Sequence, residues 1–170
     1  KVIAVVIFLG TTAAIAQTPN FKVKPEFPKE NEKVEFTYDA RETSLKDAQE
    51  ITGTLTGYQN FKWIQDKVNF TKQDSVWIGN YVIPEGLGLM NLIFQSGEKM
   101  DLGGNMTYSY ILSAPDGRQV SGGMLGWGLL RTPHIAKGVP YVVDTASYKT
   151  DEILLMWVKY ELQQHPENRF

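Results

Sequence analysis

Side chains able to do acid–base or nucleophilic work are scattered through this 170-residue chain rather than grouped. Asp39, Glu42, Asp101 and Asp116 fall in segments rich in turn formers, where a carboxylate ordinarily bonds its own backbone. His134 and His165 stand apart from any Ser motif, and His165 ends a helical pattern, where a cation is merely favourable. Neither completes a set of nucleophile, base and orienting group. Asp101-Leu-Gly-Gly-Asn105 offers two oxygen side chains and two glycines. Calcium takes about six to eight oxygens, and no bidentate Glu follows at the right distance, so the spacing predicts a glycine-rich turn. Cysteine is absent, which excludes thiol chemistry, disulfides and lipid attachment at a cysteine. Asn69-Phe-Thr71 and Asn105-Met-Thr107 fit the N-glycosylation acceptor pattern, which is too short to decide anything. The residues therefore predict a segment that is not an enzyme, with no catalytic residue, no metal site and no cofactor.

What remains is recognition. Trp63, Trp77, Tyr81, Tyr108, Tyr110 and Trp127 are numerous for the length, and large rings at alternate positions ordinarily fill a core. Their other use is to cover the C–H face of a sugar while Asn and Asp take its hydroxyls. On that alternative, Trp77, Tyr81, Asp101 and Asn105 form a glycan-binding surface. A second candidate lies near the C-terminus, where Trp157, Met156 and Tyr160 on a helical pattern offer a surface to a protein partner. A formal net charge of −2 supplies no field for nucleic acid or an anionic membrane.

These side chains need elements to hold them. The chain centres on Ser75–Gly123, where short apolar runs are separated by Pro84-Glu85-Gly86, Gly103-Gly104-Asn105 and Pro115-Asp116-Gly117. Pro presets φ, Gly supplies positive φ, and Asn or Asp bonds its own backbone. Around that centre the period is two. Phe21, Val23 and Phe27 alternate with charged residues, in a strand that Pro25 confines to an edge. Val34, Phe36 and Tyr38 follow, then Ile51 to Gly57 with threonines between them. Phe61–Trp63 and Val68–Phe70 read as two short strands around Gln65-Asp66-Lys67; Ala40–Gln49 reads as a loop. Trp77, Tyr81 and Ile83 share a face, as do Met90, Leu92 and Phe94, and then Met106, Tyr108, Tyr110 and Leu112. About seven to nine strands suit two packed antiparallel sheets, so residues 17–127 are expected to form a mainly β sandwich. Residues 128–170 then form a short helical segment. Its main helix is predicted at 151–164, with Thr150 as N-cap and Asp151 and Glu152 in the first turn. Ile153, Leu154, Trp157, Val158 and Leu162 make its inner face, with Lys159, Glu161 and Gln163 outside it. Leu155, Met156 and Tyr160 widen the apolar sector, which predicts packing on one side and an apolar strip left for a neighbour.

Residues 1–16 differ in kind. Lys1 precedes the apolar run Val2–Leu9, and Ala14-Ile-Ala16 supplies the small residues a signal peptidase needs, so cleavage is expected before Gln17. The run is too short to span a bilayer. The mature chain is expected to be exported, periplasmic or associated with the cell envelope, with no membrane span after cleavage.

Taken in order, K-V-E-F-T-Y-D, S-L-K-D-A, W-I-G-N-Y-V-I-P-E-G, L-I-F-Q-S-G-E-K-M-D, P-D-G-R-Q-V-S-G-G and E-L-Q-Q-H-P-E-N-R resemble one class of exported Bacteroidota proteins. In those, an Ig-like β-sandwich precedes a short helical segment and a thioredoxin-like domain of the TlpA or ResA type. The resemblance implies an amino-terminal accessory domain whose partner is a downstream domain or another protein. It places the redox C-x-x-C beyond Phe170. Trp77, Pro84, Phe94, Asp101, Asn105 and Tyr108 also resemble, loosely, the pattern of starch-binding modules. The turn M-D-L-G-G-N departs from the Trp-Asp-Asn-Asn type those modules carry.

Overall fold

The computed structural model describes residues 19–104, 107–131 and 150–168. The expected signal segment, Asn105, Met106 and His134 lie outside the described residues. The fold is mainly β, with eight strands among the described residues: β1 Phe21–Lys24, β2 Lys33–Tyr38, β3 Thr52–Gln59, β4 Lys62–Gln73, β5 Val76–Val82, β6 Leu87–Ser96, β7 Lys99–Asp101 and β8 Tyr108–Ile111. Among these residues two helices follow, α1 Gly123–Leu129 and α2 Asp151–Gln164.

The strands make one curled antiparallel sheet in the order β1-β2-β5-β4-β3-β6-β7, with β8 also paired to β6. Two separate sheets were expected, and β4 is the reason for the difference. Its Lys62–Asn69 portion pairs with β3, and Phe70–Gln73 pairs with β5, so one strand belongs to both layers. Gln65-Asp66-Lys67 is no break, because it contains neither Gly nor Pro and its backbone stays in the ladder opposite Leu55 and its neighbours. Phe61 is not a strand residue. It shares a two-residue hairpin with Asn60, both at positive φ (62° and 47°), which matches the right-handed twist of the flanking strands.

Curling brings the two halves face to face. Tyr38 of β2 stacks on Phe94 of β6 with ring centres 3.7 Å apart, and Phe21 of β1 meets Phe94 and Tyr108 edge-on at 5.4 and 5.3 Å. Ser113, just past β8, bonds the segment before β2: its N–H donates to the Pro28 carbonyl, and its carbonyl accepts from the Glu30 N–H. β1 ends at Lys24, and Phe27, expected inside, is exposed beyond Pro25. The edge position predicted from Pro25 is where β1 lies.

β6 is buried on both faces, unlike the one-faced strand its alternation suggested. Met90, Leu92 and Phe94 enter the core inside the curl. Leu89 and Ile93 enter a second core with Tyr58, Trp127 and Leu130, roofed by α1. α1 crosses the expected boundary at residue 127, in a glycine-rich stretch that gives no helical signal. Glycine is there for contact. The ladder between β3 and β6 shifts register at Gly88, and a Cβ on Gly88 would lie 2.5 Å from the Gly123 nitrogen. A Cβ on Gly128 would lie 2.9 Å from that of Trp157. The helix can fit between the sheet and α2 only because Gly88 of β6 and Gly128 of α1 carry no side chain.

Candidate interaction site

α1 begins without a cap of its own. Gly122 precedes it at φ 86° with no side chain to offer, and no acidic residue lies in its first turn. Three of its early N–H groups therefore need an acceptor from elsewhere. Glu161 of α2 provides it. Oε1 accepts from the Gly122 N–H at 2.6 Å, and Oε2 accepts from the Met124 and Leu125 N–H groups at 3.1 and 3.2 Å. Asn168 donates through Nδ2 to Glu161 Oε1 at 2.7 Å and to Ser121 Oγ at 2.9 Å. One turn on, His165 lies with Nε2 2.8 Å from the Gln119 carbonyl oxygen and Nδ1 3.2 Å from Glu167.

The pattern in the sequence had set Glu161 outside the helix's packed face, yet it is fully buried. Hydrophobic periodicity treats every carboxylate as solvated. A carboxylate can be buried where several N–H donors meet it, and a helix start supplies both donors and a favourable dipole. The one sequence signal was the uncapped Gly122-Gly123 pair, which asks for an acceptor without saying where it is.

α2 itself forms as predicted. The Thr150 hydroxyl accepts from the Ile153 N–H at 3.2 Å, and Asp151 and Glu152 occupy the first turn. Trp157 turns inward, its ring edge-on to Trp127 at 6.3 Å. Behind it the Arg131 guanidinium lies 4.4 Å from the centre of the Trp127 ring, and burial holds its pKa below the usual arginine range. Met156 and Tyr160 face outward. Leu155 is 58% exposed, Met156 41%, Tyr160 45% and Leu162 38%. At about 100° per residue, Leu155 and Leu162 lie on one flank, Met156 and Tyr160 on the other, and Glu152, Lys159 and Gln163 on the ridge between. Leu162, expected inside, is displaced to that flank because Glu161 takes the central inward position.

Of the residues proposed for a glycan, the three described ones, Trp77, Tyr81 and Asp101, do not converge. Trp77 is a core residue, 4% exposed, directly opposite Tyr38 in the ladder, and has no face open to a sugar ring. Tyr81 is half-buried; its hydroxyl donates to Asp66 at 2.6 Å, and its ring lies parallel to Phe36. It sits four residues along β5 from Trp77, about 13 Å away. Asp101 is a knot in the curl. It accepts from the Tyr38 hydroxyl at 2.6 Å, the Tyr108 hydroxyl at 2.8 Å and the Gly103 N–H at 3.0 Å. Burial, then the bond to Asp101, pushes both phenols well above their ordinary range.

No family model, curated protein or solved structure matches this chain. The geometry stands alone. An open groove of about 500 Å³ over β3, β4 and β6, lined by Thr52, Thr54, Gln65, Asp66, Lys67 and Gln95, has no aromatic ring in its lining. Among the described residues no cluster of three His, Asp or Glu side chains is placed to hold a metal ion. No helix among them is long and apolar enough to cross a membrane. The distinctive surface is the outer side of α2, an amphipathic helix bolted to the sheet through α1 and still apolar on two flanks.

Proposed function

We propose that this chain is a non-catalytic accessory domain of an exported protein, Ig-like in its β portion, which precedes a thioredoxin-like domain and works by contact. The observation that carries the reading is α2. Its inner face is fixed by the Glu161 carboxylate and Trp157, so its outward side chains are held in place rather than left to a wandering tail. Leu155, Met156, Tyr160 and Leu162 are then presented in a fixed arrangement, which is what a docking surface needs. The periplasmic setting and the downstream redox domain are supported by the resemblance of the ordered turn and core motifs.

The test is to read the gene beyond the codon for Phe170 and to assay its product. The expected result is a continuing frame with a C-x-x-C motif, whose whole product catalyses insulin reduction by dithiothreitol. A stop codon at that point, or a continuation without C-x-x-C, overturns the reading.

A further inference from the structure

The outward ridge of α2 has a symmetry of its own. Glu152 and Lys159, both exposed, are seven residues apart, and Leu155 and Met156 lie midway between them. Two turns of helix put the two charges on nearly the same line, about 10 Å apart, with the two apolar side chains to either side of it. A two-fold axis level with the point between Leu155 and Met156 sets residue 152 of one helix opposite residue 159 of an antiparallel second copy. Glu152 then meets Lys159 twice over. Leu155 meets Leu155 on one side of the line, and Met156 meets Met156 on the other. The opposite, parallel arrangement would set Glu152 against Glu152 and Lys159 against Lys159.

We propose that the outer face of α2 is a self-complementary surface whose occupant is α2 of a second copy of this chain, packed antiparallel. The inference rests on α2 being the interaction surface and adds what covers it. Two observations favour a second copy over an unrelated partner. The charges on the ridge complement themselves under that two-fold and clash in the parallel arrangement, which is how an isologous contact must be built. Among the described residues α2 lies outside α1 and reaches the sheet through it, so two copies can approach along it. Obligate dimers bury roughly 2,000 Å² or more, which a contact through one face of a single helix does not reach, so the pairing is expected to be reversible and to depend on concentration and salt.

Sedimentation equilibrium of the exported protein at low salt tests it, alongside Glu152→Lys, Lys159→Glu and the double variant carrying both changes. All three alter exposed side chains, and circular dichroism confirms that they are folded. The expected result is a monomer–dimer equilibrium that each single reversal weakens by about tenfold or more and the double reversal restores. A protein that stays monomeric up to millimolar concentration, or a dimer indifferent to both single reversals, overturns the proposal. A monomer that cross-links through Lys159 to a different protein also overturns self-pairing, while leaving the accessory-domain reading intact.

Discussion

Removing the Glu161 carboxylate should detach α2 without unfolding the sheet. In Glu161→Ala, the N–H groups of Gly122, Met124 and Leu125 lose their acceptor together with the Asn168 amide. Each hydrogen bond to a charged group contributes roughly 1.5–3 kcal/mol, but the four share one carboxylate and do not add. A loss of about 3–5 kcal/mol is the reasonable figure for breaking a buried charged cluster on one side. What remains is Trp157 against Trp127, Leu154 against Gly128, and the polar contacts of His165 with the Gln119 carbonyl and of Asn168 with Ser121 at the far end of the helix. A helix of this length is marginal in water by itself, so it should fray once the carboxylate is gone. Hydrogen exchange read by mass spectrometry separates local from global loss. Amides of 122–125 and of α2 should exchange at least about a hundredfold faster, as a loss of about 3 kcal/mol or more implies. Amides of β2 and β6 should keep their protection. Glu161→Gln should fall between, since its one oxygen can satisfy either Gly122 or the Met124–Leu125 pair, and its NH2 group confronts the other. Unchanged protection in α2 of Glu161→Ala would refute the idea that the carboxylate holds the helix.

Tyr108→Phe removes one of the two phenol donors to Asp101 and should cost about 1.5–3 kcal/mol in urea denaturation. Phe94→Ala opens a cavity among the four aromatic rings that surround it and should cost about 3–5 kcal/mol, with the melting temperature as the measure. Gly126→Ala would gain about 1 kcal/mol of helix propensity, yet its Cβ would lie 2.9 Å from Tyr58. A net loss, seen as a lower melting temperature, is expected because the overpacking outweighs the gain. Spectrophotometric titration should find Tyr38 and Tyr108 still protonated past the ordinary phenol range near pH 10, with Tyr110 pushed up to about 12 by burial. The unfolded chain ionises first, so the stability from these groups is complete below about pH 10 and is lost as pH rises above it.

Strands with one wet face were legible because burial imposes a period of two: Val34, Phe36 and Tyr38 are all fully buried, as their alternation requires. α2 was legible at both ends, from Thr150 to Pro166, because capping and proline chemistry are local. Readings that depended on what another segment does went wrong. The polar trio in β4 looked like a turn, because nothing local reveals that β3 and β5 pair with successive parts of that strand. Phe61 looked like a strand residue and sits in the turn. Glu161 reads as surface because its donors come from a helix some forty residues earlier, and α1 gives no periodic signal because its glycines carry packing information that periodicity cannot express. Trp77 has the residue type for stacking on a ligand, but type alone does not say which side of a strand is dry.

β2 and β3 are adjacent in the chain but do not pair; β2 waits for β5, whose Trp77 lies opposite Tyr38. In a polypeptide delivered N-terminus first, the β1–β2 hairpin therefore emerges with Phe21, Phe36 and Tyr38 uncovered and one edge of β2 unpaired. The β3–β4 hairpin, closed by Asn60 and Phe61, can form as soon as it appears, but it does nothing to shield that edge. Contacts of such long sequence separation form late, and an open apolar edge is where chains stick to one another. Vulnerability to aggregation during delivery is thus concentrated in Phe21–Tyr38: β5 closes the open edge of β2, and the rings are covered only when Phe94 of β6 and Tyr108 of β8 arrive.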